Sequence, residues 1–241
     1  MTEDFTTWSR LRDIGRWHVT RFVAKVAESL PAGQRVLDAG AGEAAYRRLF
    51  EHCDYTALDL AIGESVWNYS NLDVIARVDG LPLRPEIFDT VVSTQTLEHI
   101  EYPRETVAEF FRVLRPGGRL FLTVPMAQEE HQVPYDYFRY TSYGLRSLLS
   151  SAGFTETTVS PLGGFFTRWA YELSSFLPAP GAAGASLASK GRRWMAAAAI
   201  RCVQRLLLRV DRFDSRRNYP WGWSASALKG STQVSRTAHD L

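Results

Sequence analysis

The chain has 241 residues, of which 45% are apolar and 22% charged, and this composition is typical of a folded globular protein. It excludes a largely disordered, collagen-like or coiled-coil chain. The net charge of +2 and the absence of any run of 18 apolar residues exclude a uniformly basic protein and a membrane-spanning helix. Two cysteines do not make a disulfide scaffold, and the first residues lack the pattern of a secretory signal, so a cytoplasmic protein is expected.

Charge is distributed unevenly along the chain. Residues 165–241 carry 12 basic and 4 acidic side chains, whereas residues 1–164 carry 16 basic and 22 acidic ones. The two parts therefore have net charges of +8 and −6. This asymmetry indicates two functional zones.

In chain order, an amphipathic helix over residues 13–30 opens the first zone, because its apolar residues recur at helical spacing. Strands and helices then alternate. The predicted strands cover residues 35–38, 55–59, 72–76, 88–93 and 120–125, and the predicted helices cover residues 44–50, 105–114 and 142–152, the last capped by Thr141 or Ser142. Apolar strands alternating with helices predict an α/β fold, a parallel sheet covered on both faces.

The remainder of the chain predicts a helical insertion before a last strand. A sixth strand is expected at residues 154–159, then helices at residues 165–177 and 190–213 that a linker at residues 178–184 joins. The predicted division is therefore a core with an N-terminal helix, an insertion, the final strand of the core and a disordered tail, over residues 1–164, 165–218, 219–230 and 231–241.

A glycine-rich turn follows the first predicted strand. Residues 38–45 read DAGAGEAA and match the pattern G-x-G-x-x-A, in which glycines allow a tight turn and the next helix presents free N–H groups. Asp38 would repel a pyrophosphate and suits a ligand with a cationic amine and sulfonium. Asp59 ends the second strand, where a carboxylate accepts hydrogen bonds from ribose hydroxyls. Each acid could instead cap a turn.

The chain resembles class I S-adenosylmethionine-dependent methyltransferases of the small-molecule type 11 group. The resemblance lies in residues 36–42 (VLDAGAG), 88–100 (FDTVVSTQTLEHI) and 112–120 (RVLRPGGRL). It implies a Rossmann-like, seven-stranded, mostly parallel sheet whose last strand is antiparallel, with adenosylmethionine at the carboxyl ends of strands one, two and four. The implied cofactor-binding residues are Asp38, Ala39, Gly40, Gly42, Asp59, Thr94 and Gln95, with Asp79 proposed for the adenine amine because Arg77 stands where family members often carry an acid.

Some quinone O-methyltransferases hold a divalent metal with an E-x-x-E-H set, to which residues 95–99 are similar. The first position here is Gln95, and a neutral amide is a poor ligand for a hard cation, so no metal is predicted. Glu98 and His99 are expected to be a structural hydrogen-bonded pair.

The loop at residues 126–141 follows the fifth strand and is expected to face the methyl acceptor. His131 is the candidate base for a hydroxyl acceptor, with Asp136 as its orienting partner or as a substrate ligand. Alternatively, Asp136 and Arg139 form a structural pair and His131 is solvated. The acceptor is expected to be a small molecule, a glycan or a lipid-linked compound, methylated at oxygen.

The helix at residues 190–213 separates apolar and basic side chains. Its apolar face could cover the core as a lid, or it could lie on an anionic membrane as a peripheral contact. Two alternatives to a methyltransferase stay open, a nicotinamide-dependent oxidoreductase and a non-catalytic membrane-surface module. Nucleic acid is not expected as a partner, because the acidic first zone would repel phosphates.

Overall fold

The computed structural model describes residue 11 and residues 13–63, 66–177 and 186–231. The predicted linker at 178–184 and all but the first residue of the predicted tail lie outside these residues. The helices are α1 (Ile14–Ser29), α2 (Pro103–Val113), α3 (Ser142–Ser151), α4 (Phe165–Glu172) and α5 (Leu187–Val210). The strands are β1 (Arg35–Ala39), β2 (Asp54–Asp59), β3 (Val74–Ile75), β4 (Phe88–Thr94), β5 (Leu114–Pro125), β6 (Thr155–Leu162) and β7 (Gly222–Leu228).

The seven strands form one sheet in the order β3-β2-β1-β4-β5-β7-β6. Neighbouring strands among β1 to β5 pair in parallel, and β7 runs antiparallel to both β5 and β6. The predicted Rossmann-like α/β fold, with a helical insertion before the last strand, is therefore confirmed. Strand order reverses between β1 and β4, which is where ligands bind in open α/β sheets.

Helices cover both faces of the sheet, as the apolar central strands predict. On one face, Phe110 of α2 and Leu145 of α3 pack into a core with Leu37, and all three are fully buried. On the other face, Val23 of α1 packs with Phe50. The cap predicted for α3 is also present, because the Thr141 hydroxyl accepts a hydrogen bond from the Gly144 N–H at 3.1 Å.

The helix predicted at residues 44–50 is wrong. Turns follow β1, and a 3₁₀ helix of four residues spans Arg47–Phe50. The physical reason is the backbone of Ala44, whose φ of 56° is left-handed and incompatible with an α-helix. A cofactor at the end of β1 would therefore be held by loop residues and not by a helix N-terminus.

The insertion between β6 and β7 is a helical pair. The one helix predicted at residues 165–177 is α4 with a 3₁₀ turn at Leu173–Phe176, and α5 begins three residues before the predicted position. The α4 N-terminus is held by Asp214 and Asp211, which accept hydrogen bonds from the Phe165 and Thr167 N–H groups, each at 2.8 Å. No helix in the described part of the chain has the length and apolar character needed to cross a membrane.

Candidate active site

A cavity of about 700 Å³ opens at the carboxyl ends of β1, β2 and β4. Its volume lies in the range of small-molecule sites. Six of the residues predicted for the cofactor line it: Gly40, Gly42, Asp59, Asp79, Thr94 and Gln95. His131, the candidate base, lines the same cavity. The fold therefore brings the predicted cofactor residues and the predicted acceptor loop to one space.

The turn after β1 is pinned to β2. The Gly40 and Ala41 N–H groups donate hydrogen bonds to the Leu58 carbonyl at 2.8 and 3.0 Å. Gly40 has φ +80°, a conformation that favours glycine, and a Cβ atom there would overlap the side chain of Thr96. The turn is thus fixed by backbone hydrogen bonds and by close contact with the residue that follows β4.

Asp59 joins the end of β2 to this turn. Its Oδ2 accepts a hydrogen bond from the Gly42 N–H at 2.9 Å, and its Oδ1 accepts one from the Ala61 N–H at 2.8 Å. A carboxylate oxygen accepts more than one hydrogen bond, so both oxygens keep capacity for a ligand that enters the cavity. The turn-capping role and the ligand-binding role considered for Asp59 are therefore compatible.

Asp38 and Ala39 lie beneath the cavity and are not among its lining residues. Asp38 is 1% exposed, and its Oδ2 accepts a hydrogen bond from the Tyr55 hydroxyl at 2.5 Å. Burial raises the pKa of Asp38 to about 7, although the Tyr55 hydrogen bond opposes this shift. In this geometry Asp38 supports the floor of the site.

Asp79 and Gln95 already have partners within the chain. The Arg77 guanidinium donates hydrogen bonds to both Asp79 oxygens, at 2.8 and 2.5 Å, and holds the pKa of that carboxyl below its usual range. The Gln95 side-chain amide donates to the Thr123 hydroxyl at 3.0 Å. Gln95 is therefore tied to β5, and its backbone, with φ +50°, turns the chain away from β4.

On the acceptor side, Asp136 holds the loop that carries His131. The Asp136 carboxylate accepts hydrogen bonds from the His131 backbone N–H at 2.9 Å and from Arg139 at 2.6 and 2.8 Å. The Arg139 guanidinium lowers the pKa of Asp136 strongly. The structural pair considered for Asp136 and Arg139 is therefore present. His131 is nevertheless not fully solvated, because its side chain is 24% exposed and lines the cavity.

Two histidines and one carboxyl group meet beside the cavity. The rings of His99 and His131 have centroids 4.7 Å apart, and candidate ligand atoms of Glu98, His99 and His131 all lie within 4.8 Å of one another. The Nδ1 atoms of His99 and His131 lie 2.6 and 3.0 Å from the Tyr135 and Glu129 carbonyl oxygens. Ligands of a tetrahedral zinc ion would lie roughly 3.4 Å apart, so a cation here would require the three side chains to move together.

Glu98 does not form the hydrogen-bonded side-chain pair predicted for it. The side chain is fully buried, and neither carboxylate oxygen has a hydrogen-bond partner among the described residues. The Glu98 carbonyl, in contrast, accepts from the Tyr137 N–H at 2.8 Å and so fixes the acceptor loop. Burial raises the Glu98 pKa to about 8, which favours the neutral acid near pH 7.

Several aromatic residues of the cavity were not predicted as site residues, among them Trp67, Tyr171 and Trp221. Trp67 lies 3.5 Å from where a Cβ atom on Gly42 would be. Tyr171 of α4 and Trp221, just before β7, line the cavity with ring centroids 5.6 Å apart. No local pattern marks Tyr171 and Trp221, because the sheet order alone brings α4 and β7 to the site.

The comparisons with known proteins agree with this geometry. A family model described as a methyltransferase domain, type 11, matches residues 37–122, from β1 to β5. The glycine turn and the strands β2, β3 and β4 lie within this match. Residues 37–122 therefore resemble a type 11 methyltransferase domain, and the sheet around them has the fold of class I S-adenosylmethionine-dependent methyltransferases.

Curated relatives of this type 11 domain include a demethylmenaquinone methyltransferase of Renibacterium salmoninarum, 31% identical over 61% of this chain and 61% of the relative. A tRNA (carboxymethyluridine(34)-5-O)-methyltransferase of Arabidopsis thaliana is 31% identical over 45% of this chain and 28% of the relative. The chain thus spans less than two thirds of the length of these relatives.

Solved structures extend the likeness to most of the chain. A Haemonchus contortus phosphoethanolamine N-methyltransferase, solved with S-adenosylhomocysteine, has a TM-score of 0.55 at 17% identity, covering 90% of this chain and 54% of that one. The [4+2]-cyclase SpnF also has a TM-score of 0.55, at 21% identity, covering 88% and 81%. At these identities the likeness shows the fold alone. The fit to adenosylmethionine is carried by the cavity, the Gly40 turn and the remaining acceptor capacity of Asp59.

Proposed function

We propose that the protein transfers a methyl group from adenosylmethionine to an oxygen of a small-molecule acceptor. The observation that carries the proposal is that Asp59, with the Gly42 turn bound to it, and His131 face one cavity. Asp59 and the Gly42 turn would hold the cofactor, and His131 would face the entering acceptor. Asp38, Ala39 and Asp79 would support the cofactor from below and from the side.

Methyl transfer is a displacement that depends on alignment of the acceptor with the methyl group. When bound, adenosylmethionine supplies an electrophilic methyl group on a sulfonium. Asp59 would accept hydrogen bonds from ribose hydroxyls, and the Gly40 turn would leave space for the methionine part. His131 would take the proton of an acceptor hydroxyl as the oxygen attacks. Asp136 would position His131 through the backbone hydrogen bond of 2.9 Å.

The acceptor side of the cavity favours a compound with an apolar or flat part. Apolar and aromatic residues line it there: Val133, Tyr135, Tyr137, Tyr171 and Trp221. Such walls bury an aromatic ring, an isoprenoid or the apolar part of a lipid-linked acceptor. The same surface can pack against the apolar faces of a glycan.

Acidic groups disfavour a nucleic-acid acceptor. The cavity is also lined by the carboxylates Asp13, Glu43, Asp59, Asp79 and Glu101. They outnumber the two arginines of the lining, Arg16 and Arg77, and would repel the phosphates of an RNA chain. The tRNA methyltransferase among the relatives matches 45% of this chain and 28% of its own length. Methylation of RNA is therefore one of the outcomes that the test distinguishes.

The test has a binding arm and a turnover arm. Calorimetry of the purified chain with adenosylmethionine, and separately with NADH, should give binding of the first only. Incubation with methyl-labelled adenosylmethionine and fractionated cell extract, followed by mass spectrometry, should then place label in small molecules. Binding of NADH without binding of adenosylmethionine would replace the proposal by an oxidoreductase. Label found only in RNA would agree with a methyltransferase but would overturn the small-molecule acceptor. Binding of adenosylmethionine without label in any fraction would favour a non-catalytic module.

A further inference from the structure

The helix α5 has an unusual combination of charge and exposure. Between Leu187 and Val210 it carries six lysine and arginine residues and no acidic residue. Among its described side chains, those of residues 189–210, only Gln204 is buried. The Gln204 amide donates hydrogen bonds to the Ala170 carbonyl at 2.8 Å and to the Ser174 hydroxyl at 3.0 Å. A narrow contact therefore holds α5 against the segment that contains α4, and most of its circumference faces outward.

α5 does not serve as a lid in this structure. The insertion residue that lines the cavity is Tyr171 of α4, and no described residue of α5 is among the lining residues. Of the apolar face predicted from the sequence, Val203 and Leu206 are exposed, and Leu206 is 60% exposed. This part of the apolar face is therefore largely open to solvent.

The outward surface of α5 has two adjacent stripes. At 100° per residue, one apolar stripe spans an arc of about 80°, and a basic stripe with one tryptophan spans the next arc of about 60°. The apolar stripe contains Met195, Ala199, Val203 and Leu206, and the other contains Trp194, Arg205 and Arg209. Trp194 is 73% exposed. Tryptophan favours the region where apolar and polar phases meet.

The C-terminal end of α5 continues this surface. Phe213 follows the helix and is 69% exposed, and Arg212, Arg216 and Arg217 flank it in sequence. Because Asp214 is hydrogen-bonded to the N-terminus of α4, the exposed aromatic side chain of Phe165 lies in the same region. Aromatic and basic side chains are therefore concentrated at this end of the insertion.

We propose that this surface, α5 with Phe213 and the arginines after it, binds the face of a membrane that contains anionic lipids. Apolar side chains beside a basic stripe match an anionic headgroup layer above acyl chains. A second copy of the chain would place two like-charged helices against each other, and RNA would leave Leu206 and Met195 in water. Peripheral binding of this kind does not depend on methyl transfer, so it is tested without cofactor or acceptor.

The experiment is sedimentation of the full chain with vesicles of phosphatidylcholine, with and without phosphatidylglycerol. Binding should require phosphatidylglycerol and should weaken as salt is added. Because each basic residue near an anionic surface contributes roughly five-fold in affinity, Arg205→Gln/Arg209→Gln should reduce partitioning about 25-fold. Arg104→Gln/Arg119→Gln, at exposed positions outside the insertion, makes the same charge change and should leave partitioning nearly intact.

A second pair of variants tests the apolar stripe. Leu206→Ser should weaken vesicle binding, whereas Ile75→Ser, at an exposed apolar position on β3, should not. Circular dichroism and thermal denaturation verify that each variant is folded. The proposal is overturned if the wild-type chain fails to bind anionic vesicles or binds neutral ones equally. It is also overturned if the two double arginine variants lose vesicle binding to the same extent. A dimer that is seen by light scattering and that Leu206→Ser dissociates would overturn it as well.

Discussion

Gly40 and Thr96 lie beyond the ends of neighbouring strands β1 and β4, where a Cβ atom on Gly40 would come within 2.8 Å of the Thr96 Cβ. Gly40→Ala therefore adds an overlap to the cost of a left-handed backbone at φ +80°. We expect adenosylmethionine affinity to fall about tenfold or more, since the turn must move before the cofactor can be bound. Calorimetry on the folded variant measures the loss.

Gly33 supplies the matched control for this substitution. Its φ is +79°, and a Cβ atom there would have nothing within 4 Å. Gly33→Ala thus has the same backbone strain without an overlap, and its adenosylmethionine affinity should stay within about twofold of the wild type. Equal affinities for the two variants would mean that the turn does not contact the cofactor.

Asp59→Ala should weaken adenosylmethionine binding by about 1.5–3 kcal/mol, because it removes charge-assisted hydrogen bonds to the ribose. It also frees the Gly42 and Ala61 N–H groups that the carboxylate now holds. Asp54→Ala changes an exposed carboxylate at the other end of the same strand and should leave affinity unchanged. Calorimetry is the measurement, and wild-type affinity in a folded Asp59→Ala chain would remove Asp59 from the site.

The stability of the chain should depend on the titration of Asp38. Its pKa of about 7 in the folded state lies above the usual value of about 3.9 in an unfolded chain. The folded state therefore binds more protons between these values, and the contribution of Asp38 to the free energy of unfolding should fall as pH rises from about 4 to about 7, by at most about 4 kcal/mol.

Asp38→Asn removes this titration, so its stability should vary less over the same pH range. Urea denaturation of both chains at several pH values, without cofactor, gives the difference. Asp54→Asn serves as the control, because this carboxylate is exposed. If wild type and Asp38→Asn show parallel pH dependence, the buried carboxyl is not protonated in the folded chain.

His131→Ala should lower kcat by about 10²–10⁴-fold with a hydroxyl acceptor and leave adenosylmethionine affinity nearly unchanged. The reason is that His131 lines the acceptor side of the cavity and would accept the hydroxyl proton. His52→Ala changes an exposed imidazole outside the cavity and should have wild-type turnover. Wild-type turnover of His131→Ala at every pH would instead point to an acceptor that needs no base, or to His99.

Catalysis should not require a divalent metal. A chelator should leave the rate unchanged, and Glu98→Gln should keep the rate without lowering stability, because a neutral amide closely replaces a buried, protonated carboxyl. Glu98→Ala should reduce stability by about 2–3 kcal/mol through the cavity that it leaves. A different result would assign a metal to Glu98, His99 and His131. In that case a chelator would abolish activity, a divalent ion would restore it, and Glu98→Gln would be inactive.

The sequence predicted those elements whose structure depends on local interactions. The apolar runs of β1 and β4 predicted buried parallel strands, and the hydroxyl of Thr141 predicted the start of α3. The glycine turn and Asp59 were also found, because short-range spacing sets their positions. These elements set the fold and the part of the cavity that we propose for the cofactor.

The remaining features depend on tertiary contacts. The left-handed Ala44 was predicted as helical, because alanine favours helices and nothing nearby signals φ 56°. Tyr171 and Trp221 reach the cavity only because β7 enters the sheet beside β5. The burial of Glu98 without a partner likewise depends on how the acceptor loop folds over it. The acceptor side was for these reasons the harder half to predict.

The position of β7 has a consequence for how the chain folds. It is the last strand of the described residues, yet it lies between β5 and β6 in the sheet and forms hydrogen bonds to both. During synthesis, β5 and β6 are therefore made well before the strand that separates them. Their edges stay open until residues 222–228 emerge, and open edges promote aggregation. A chain that stops before residue 222 should accumulate as insoluble aggregate, even though every residue matched by the family model has been made.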